Sequence, residues 1–184
     1  MNASKLKSQC LSDPEHGFLT SCFVGENLVG QAFAATWDYR GGSIGWITQL
    51  VVDRDYRRRH IATTLLQHLQ SDPVFGSVSA FGVASSGPAT CHILAKLVDV
   101  PISNIDTKFI SDNAERFLKS TTVHYLKSDE LRGSLFGSYR EVGGVFSVFT
   151  SFYIDHTEPL EILKSIQQDL NGALLISLMV TKFC

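Results

Sequence analysis

The chain has 184 residues, 16 Lys and Arg against 18 Asp and Glu, a net charge of −2, and 44% hydrophobic residues. That is a length for one domain, able to bury roughly two-thirds of the surface its unfolded chain exposes. The apolar content excludes a mainly disordered state, and the charge lacks the basic excess of a nucleic-acid reader.

Four cysteines, Cys10, Cys22, Cys91 and Cys184, are too few and too scattered for a disulfide scaffold or a zinc site. Met1 to Gly17 has no apolar leader segment. The apolar run from Ala173 to Val180 is about half the length a membrane helix needs. A soluble protein of the reducing cytoplasm is expected, with no metal, no nucleic acid and no membrane among its partners.

Taken in chain order, Leu19 to Val24 reads as a strand, Gly25-Glu26-Asn27 as a hairpin turn, and Leu28 to Trp37 as a second strand. Asp38 to Gly42 is the next turn. Ile44 to Asp53 is a third strand whose centre, Ile47, Leu50, Val51 and Val52, is expected to be buried on both faces. The period then changes: Ile61, Leu65, Leu66 and Leu69 form one stripe of a helix that Ser71-Asp72-Pro73 ends. Val78 to Ala84 reads as a strand, followed by a helix with Pro88 in its first turn and Lys96 in its last. Strand, helix, strand, helix implies a parallel crossover, hence an α+β fold with a mixed sheet.

Beyond Pro101, Ile105, Phe109, Ile110, Phe117 and Leu118 support one helix, and the polar stretch after it reads as loop. Val145 to Ile154 alternates as a strand. Pro159 opens a helix carrying Leu160, Leu163, Ile166 and Leu170, which Asn171-Gly172 closes. A final strand runs through Leu174 to Val180. No repeat or linker divides the chain, so one domain is expected: a core over 18–99, an irregular helical insert over 101–143, and a strand-helix-strand unit over 144–184.

The junction of the third strand and its helix carries the chemistry. Leu50-Val51-Val52-Asp53-Arg54-Asp55-Tyr56-Arg57-Arg58-Arg59-His60-Ile61-Ala62 takes a buried strand through a basic turn into a helix N-terminus. There the first amides lack intrahelical acceptors and the macrodipole adds about half a positive charge. Such an end binds phosphate, and neighbouring arginines add bidentate donors. The plainer alternative is a solvated basic turn neutralised by Asp53 and Asp55.

Arg57-Arg58-Arg59-His60-Ile61-Ala62, with Leu50-Val51-Val52 on the strand before it, resembles motif A of the GNAT superfamily of acyl-CoA-dependent N-acyltransferases. That pattern is Gln/Arg-x-x-Gly-x-Gly/Ala, and His60 stands where its first glycine belongs. The order of elements from about residue 18 to 99 also matches. The later segments Leu131 to Phe136 and Asp155 to Leu160 resemble a little-characterised fungal subgroup.

The resemblance implies a GNAT-like, mostly antiparallel sheet flanked by helices. It also implies transfer of an acetyl group from acetyl-CoA to a primary amine, on a small molecule or peptide, by direct attack in a ternary complex. Backbone amides of Arg58, Arg59, His60, Ile61 and Ala62 would hold the pyrophosphate, with Arg57 at the head of the loop. Leu50, Val51 and Val52 would line the thioester and pantetheine, Leu50 and Val52 through main-chain groups. Ser85 or Ser86 and the helix from Pro88 to Leu97 would flank the arm.

The glutamate some members carry on the motif-A strand corresponds to Trp46, and the tyrosine many carry on the following helix corresponds to Leu94. The remaining candidates for a base are Asp38, Tyr39, Gln49, Tyr153 and His156. Only about 18 residues precede the first strand, fewer than the family places there. This start implies a truncated N-terminal wall that the segment from Pro101 to Leu126, or a partner chain, would replace.

Two rival readings share the fold: a non-catalytic acyl-CoA-binding module, and an interaction protein that binds no CoA. Gly41-Gly42-Ser43-Ile44-Gly45 matches the nucleophile elbow of serine hydrolases, but Ser43 leads into a strand, where the elbow needs a helix. The Phe-rich strand around Phe146, Phe149 and Phe152 is core, or a homodimer surface if both of its faces are buried.

Overall fold

A computed structural model of the chain describes residues 13–85, 87–101, 104–127, 130–132, 147–149, 157 and 178–182. Three antiparallel strands open it: β1 (Gly17–Val24), β2 (Asn27–Tyr39) and β3 (Gly42–Val52). The β1–β2 hairpin turns at Gly25, whose φ of 61° lies in the left-handed region that glycine enters without steric cost. Helix α1 (Ile61–Gln70) and the short α2 (Pro73–Gly76) carry the chain to β4 (Ala80–Ala84), which pairs parallel with β3. Then come α3 (Pro88–Leu97), α4 (Thr107–Ser120) and α5 (His124–Lys127).

Strands β5 (Glu130–Arg132) and β6 (Ser147–Phe149) form a separate two-stranded sheet. Strand β7 (Leu178–Lys182) joins the main sheet antiparallel to β4. The main sheet runs β1-β2-β3-β4-β7 with one parallel pair. This is the mixed α+β fold the order of elements implies.

The sheet is covered on both faces, as the two-residue alternation of β2 shows. Gly30 faces α1: a Cβ there would lie 2.8 Å from Ile61 Cγ2 and 3.2 Å from Leu65, so a glycine lets helix and strand approach. Trp37 and Tyr39, an odd number of residues on, point the other way. The Tyr39 ring meets Phe117 of α4 edge-on at 4.5 Å, and the Trp37 indole N–H donates to the Phe117 carbonyl at 3.0 Å.

That carbonyl is in the last turn of α4, where helix carbonyls lack intrahelical partners. Thr121 N–H, its ordinary donor, turns instead to Leu118. The stripe read for α1 buries Leu65, Leu66 and Leu69 against β1 and β2, beside α3. Phe75 of α2 packs edge-on against Phe18.

Several expectations are corrected. The third strand is fully buried only over Ile44–Ile47; Leu50 and Val52 are half-buried and Val51 is 49% exposed, because the β3–β4 ladder ends at Ile47↔Val83. The fourth strand starts at Ala80; Val78 precedes it as a buried anchor. Ile105 lies before α4, buried but outside the helix that Asp106 caps with its carboxylate on Phe109 N–H.

The stretch read as loop after α4 contains α5 and β5. Strand β7 runs two residues past Val180. Of the Val145–Ile154 strand, Ser147–Phe149 is described; the Pro159 helix, Ser86, Tyr153 and His156 lie outside the described residues.

Candidate functional site

Where β3 ends, the Asp53 carboxylate accepts the Asp55 N–H at 2.9 Å and starts a single 3-10 turn, Arg54–Tyr56. Asp53 thus serves as a cap. Arg57 follows in extended conformation, and its Nε donates back to the Val52 carbonyl at 3.3 Å, pinning the turn to the strand end. The Arg59 guanidinium lies over the Tyr56 ring, 5.1 Å from its centroid. Among the described residues no ion pair involves Arg58 or Arg59.

Two residues of this turn have left-handed backbones: Arg58 at φ 62° and His60 at φ 61°. They reverse the chain so that α1 begins at Ile61. The position that the family pattern reserves for glycine is thus one where glycine would be unstrained. Histidine is among the side chains that tolerate this region best.

The His60 carbonyl accepts both the Thr64 N–H at 2.9 Å and the Thr64 hydroxyl at 3.2 Å, but no side chain caps the N-terminus of α1. The helix therefore presents uncapped first amides, with the positive end of its dipole, behind three exposed arginines. His60 is exposed and does not occupy that end. An uncapped helix N-terminus beside arginines is an arrangement that suits a phosphate group.

Along β3, Leu50, Val51 and Val52 lie beyond the last β4 pairing and run directly into this turn. Ser85, half-buried after β4, accepts the Gly87 N–H at 3.1 Å and so shapes the entry to α3. Ile61 and Ala62 open α1.

The candidates for a base fall in different places. Asp38 pairs opposite Ser43 at the other end of the β2–β3 hairpin, about 30 Å along β3 from Val52. Tyr39 is buried, its hydroxyl 3.4 Å from Ser79 Oγ. Gln49 is half-buried on β3, two residues from Val51. Trp46 and Leu94, the positions to which the resemblance assigns a glutamate and a tyrosine, are both sealed in the core.

One contact on β3 leaves no signal in the sequence. Tyr125, from α5, donates its hydroxyl to the Thr48 carbonyl at 3.0 Å, 77 residues away in the chain.

These features can be set beside known proteins. Residues 2–72 match the model of the acetyltransferase (GNAT) family. The match covers fewer than half of the residues and contains β1, β2, β3, the basic turn and α1. No curated protein matches the sequence.

Solved structures similar to this chain include an acetyltransferase from Vibrio fischeri (16% identity, TM-score 0.37, 41% of this chain and 66% of that one). Another is a GNAT family acetyltransferase from Elizabethkingia anophelis with acetyl-CoA bound (16%, 0.40, 51% and 59%). A third is an aminoglycoside acetyltransferase from an uncultured soil metagenomic sample in complex with sisomicin (14%, 0.42, 55% and 67%). The chain spans about two thirds of these solved chains or less.

Among the described residues no helix is long and apolar enough to cross a membrane, and no cluster of His, Cys, Asp and Glu could hold a metal ion.

Proposed function

We propose that this protein is an N-acetyltransferase that transfers the acetyl group of acetyl-CoA to a primary amine by direct attack in a ternary complex. The observation that carries this reading is the uncapped N-terminus of α1, delivered by β3 through Arg57, Arg58 and Arg59. The GNAT family match over the same segment supports it.

The amides of Arg58 to Ala62 hold the CoA phosphates, and main-chain groups of Leu50 and Val52 line the thioester and its arm. Bound acetyl-CoA supplies an activated acyl group whose carbonyl gains negative charge under attack. Fixed amides aimed at it stabilise that charge. An amine with a pKa near 10 must lose a proton first. Among the candidates within the described residues, Gln49 stands on the β3 segment nearest the turn, and an amide there serves only by orienting a water that takes the proton.

The test is thermal unfolding with acetyl-CoA at about 100 times its dissociation constant. Binding to the native state alone adds roughly 2.7 kcal/mol, which for this size raises Tm by about 5–10 °C. Arg57→Ala and Arg59→Ala weaken the effect, while Ser43→Ala, at the far end of β3, leaves it unchanged. An equal loss from Ser43→Ala, or no shift for the wild type, removes the reading.

The burial of Trp46 and Leu94 favours a second reading, a CoA-binding module without catalysis. Release of CoA in the presence of a panel of amines separates the two.

A further inference from the structure

Thr48 is the irregular residue of β3. Ala34 pairs with Ile47 and Phe33 with Gln49, so Thr48 has no opposite residue on β2 and forms a β-bulge. On the other flank the ladder with β4 stops one residue earlier, at Ile47↔Val83. The bulge therefore falls beside the end of the β4 ladder, and the β2 ladder resumes past it with Gln49 opposite Phe33.

A slip of one residue in a strand moves every following side chain to the opposite face. If the bulge migrated along β3, Leu50 and Val52 would exchange faces with Val51. The β2 ladder from Gln49 to Val52 and the packing of Leu50 on the core oppose such a slip, while Val51 is exposed and adds no packing of its own.

The Tyr125 hydroxyl is placed to fix the position. It donates to the Thr48 carbonyl at 3.0 Å, and its own backbone is held on both sides. Val123 and Leu126 are fully buried, and Thr121, itself buried, accepts the Val123 N–H on its hydroxyl at 3.1 Å.

We infer that Tyr125 is a positioning residue for the acyl end of the cofactor site: it pins the bulge at Thr48 and thereby fixes which way the main chain of Gln49, Leu50 and Val52 presents its groups. The inference rests on the acetyl-CoA reading above. It adds to that reading a residue from outside the segment that matches the family model.

The geometry makes the effect selective. The phosphate-binding turn begins after Val52, about 13 Å along the strand from Thr48. The Arg57 bond to the Val52 carbonyl holds that end independently. Losing the Tyr125 hydroxyl thus disturbs the acyl end and leaves the phosphate end in place.

The test is calorimetric titration of wild-type, Tyr125→Phe and Trp37→Phe proteins with acetyl-CoA and with CoA. Phenylalanine keeps the ring packing. Trp37→Phe breaks a different buried hydrogen bond, the one to Phe117, and controls for general loss of stability. Tyr125→Phe should raise the Kd for acetyl-CoA about three- to tenfold, the scale of one net hydrogen bond, with the Kd for CoA within about twofold of wild type. Trp37→Phe should leave the ratio of the two unchanged.

Loss of both affinities together in Tyr125→Phe, or of neither, overturns the inference while the cofactor reading stands. A wild type that binds neither ligand overturns both. A readout that needs no variant is amide exchange of the wild type: acetyl-CoA should slow exchange at residues 48–50 more than CoA does, and equal protection refutes the positioning role.

Discussion

His60 gives a test of the basic turn that is independent of any ligand. Its backbone is left-handed, φ 61° and ψ 7°, its side chain is exposed, and it makes no cap hydrogen bond. Substitution there consequently changes backbone energetics and little else.

For an L-residue the left-handed conformation costs roughly 1–2 kcal/mol. Glycine removes that cost but adds about 0.5–1 kcal/mol of unfolded-chain freedom. His60→Gly is therefore expected to stabilise by about 0.5–1 kcal/mol, a rise in Tm of about 1–4 °C for a chain of this size. Valine, β-branched, suits this region worst, so His60→Val should lose at least about 1 kcal/mol. Thermal unfolding followed by circular dichroism should rank the proteins Gly above His above Val. Equal melting of all three would refute the claim that the turn depends on a left-handed residue at position 60.

Other substitutions probe the packing that holds the site. Trp37→Phe strands the Phe117 carbonyl in a buried setting and should cost about 1–3 kcal/mol in denaturant unfolding. Gly82→Ala places a Cβ 2.4 Å from the Trp46 ring, so it should destabilise by about 1–3 kcal/mol, with the loss visible in Trp fluorescence as the ring moves. Burial pushes the Cys91 thiol up to about 11 from 9.0. The folded state then holds its proton where the unfolded state has lost it, so the stability Cys91 contributes is full below pH 9 and lost as pH rises from 9 toward 11. Native Cys91 should resist iodoacetamide at pH 8 and react once the chain is unfolded, as mass spectrometry of the labelled peptide would show.

The elements that were legible in the sequence are those with a repeating signal. Leu65, Leu66 and Leu69 recur at helical spacing over ten residues, and the helix they mark is the one observed. The first three strands stand out because Gly25 and Gly41-Gly42 punctuate them. Four-residue helices such as Pro73–Gly76 and His124–Lys127 complete little more than one turn and leave no period to read.

The exposure of Val51 is not legible in the sequence, because an apolar run looks the same whether or not a neighbouring strand continues beside it; only the end of the β4 ladder decides. The turn at Arg57 to Ala62 was legible from its place between a strand and an amphipathic helix. The bulge at Thr48 and the tyrosine that meets it were not, because both depend on pairings between distant parts of the chain.

The place of β7 in the sheet has a consequence for biosynthesis. Strand β4, Ala-Phe-Gly-Val-Ala, is apolar along its whole length, and its outer edge is closed only when Leu178–Lys182 arrives, about ninety residues later. At about 5–20 residues per second that is roughly 5–20 s of translation during which the nascent chain carries an open, uncharged strand edge, a template for pairing with other chains. Slowing translation after residue 84 should therefore increase aggregation, and holdase chaperones that cover strand edges should raise the yield of folded protein more than foldases acting after release.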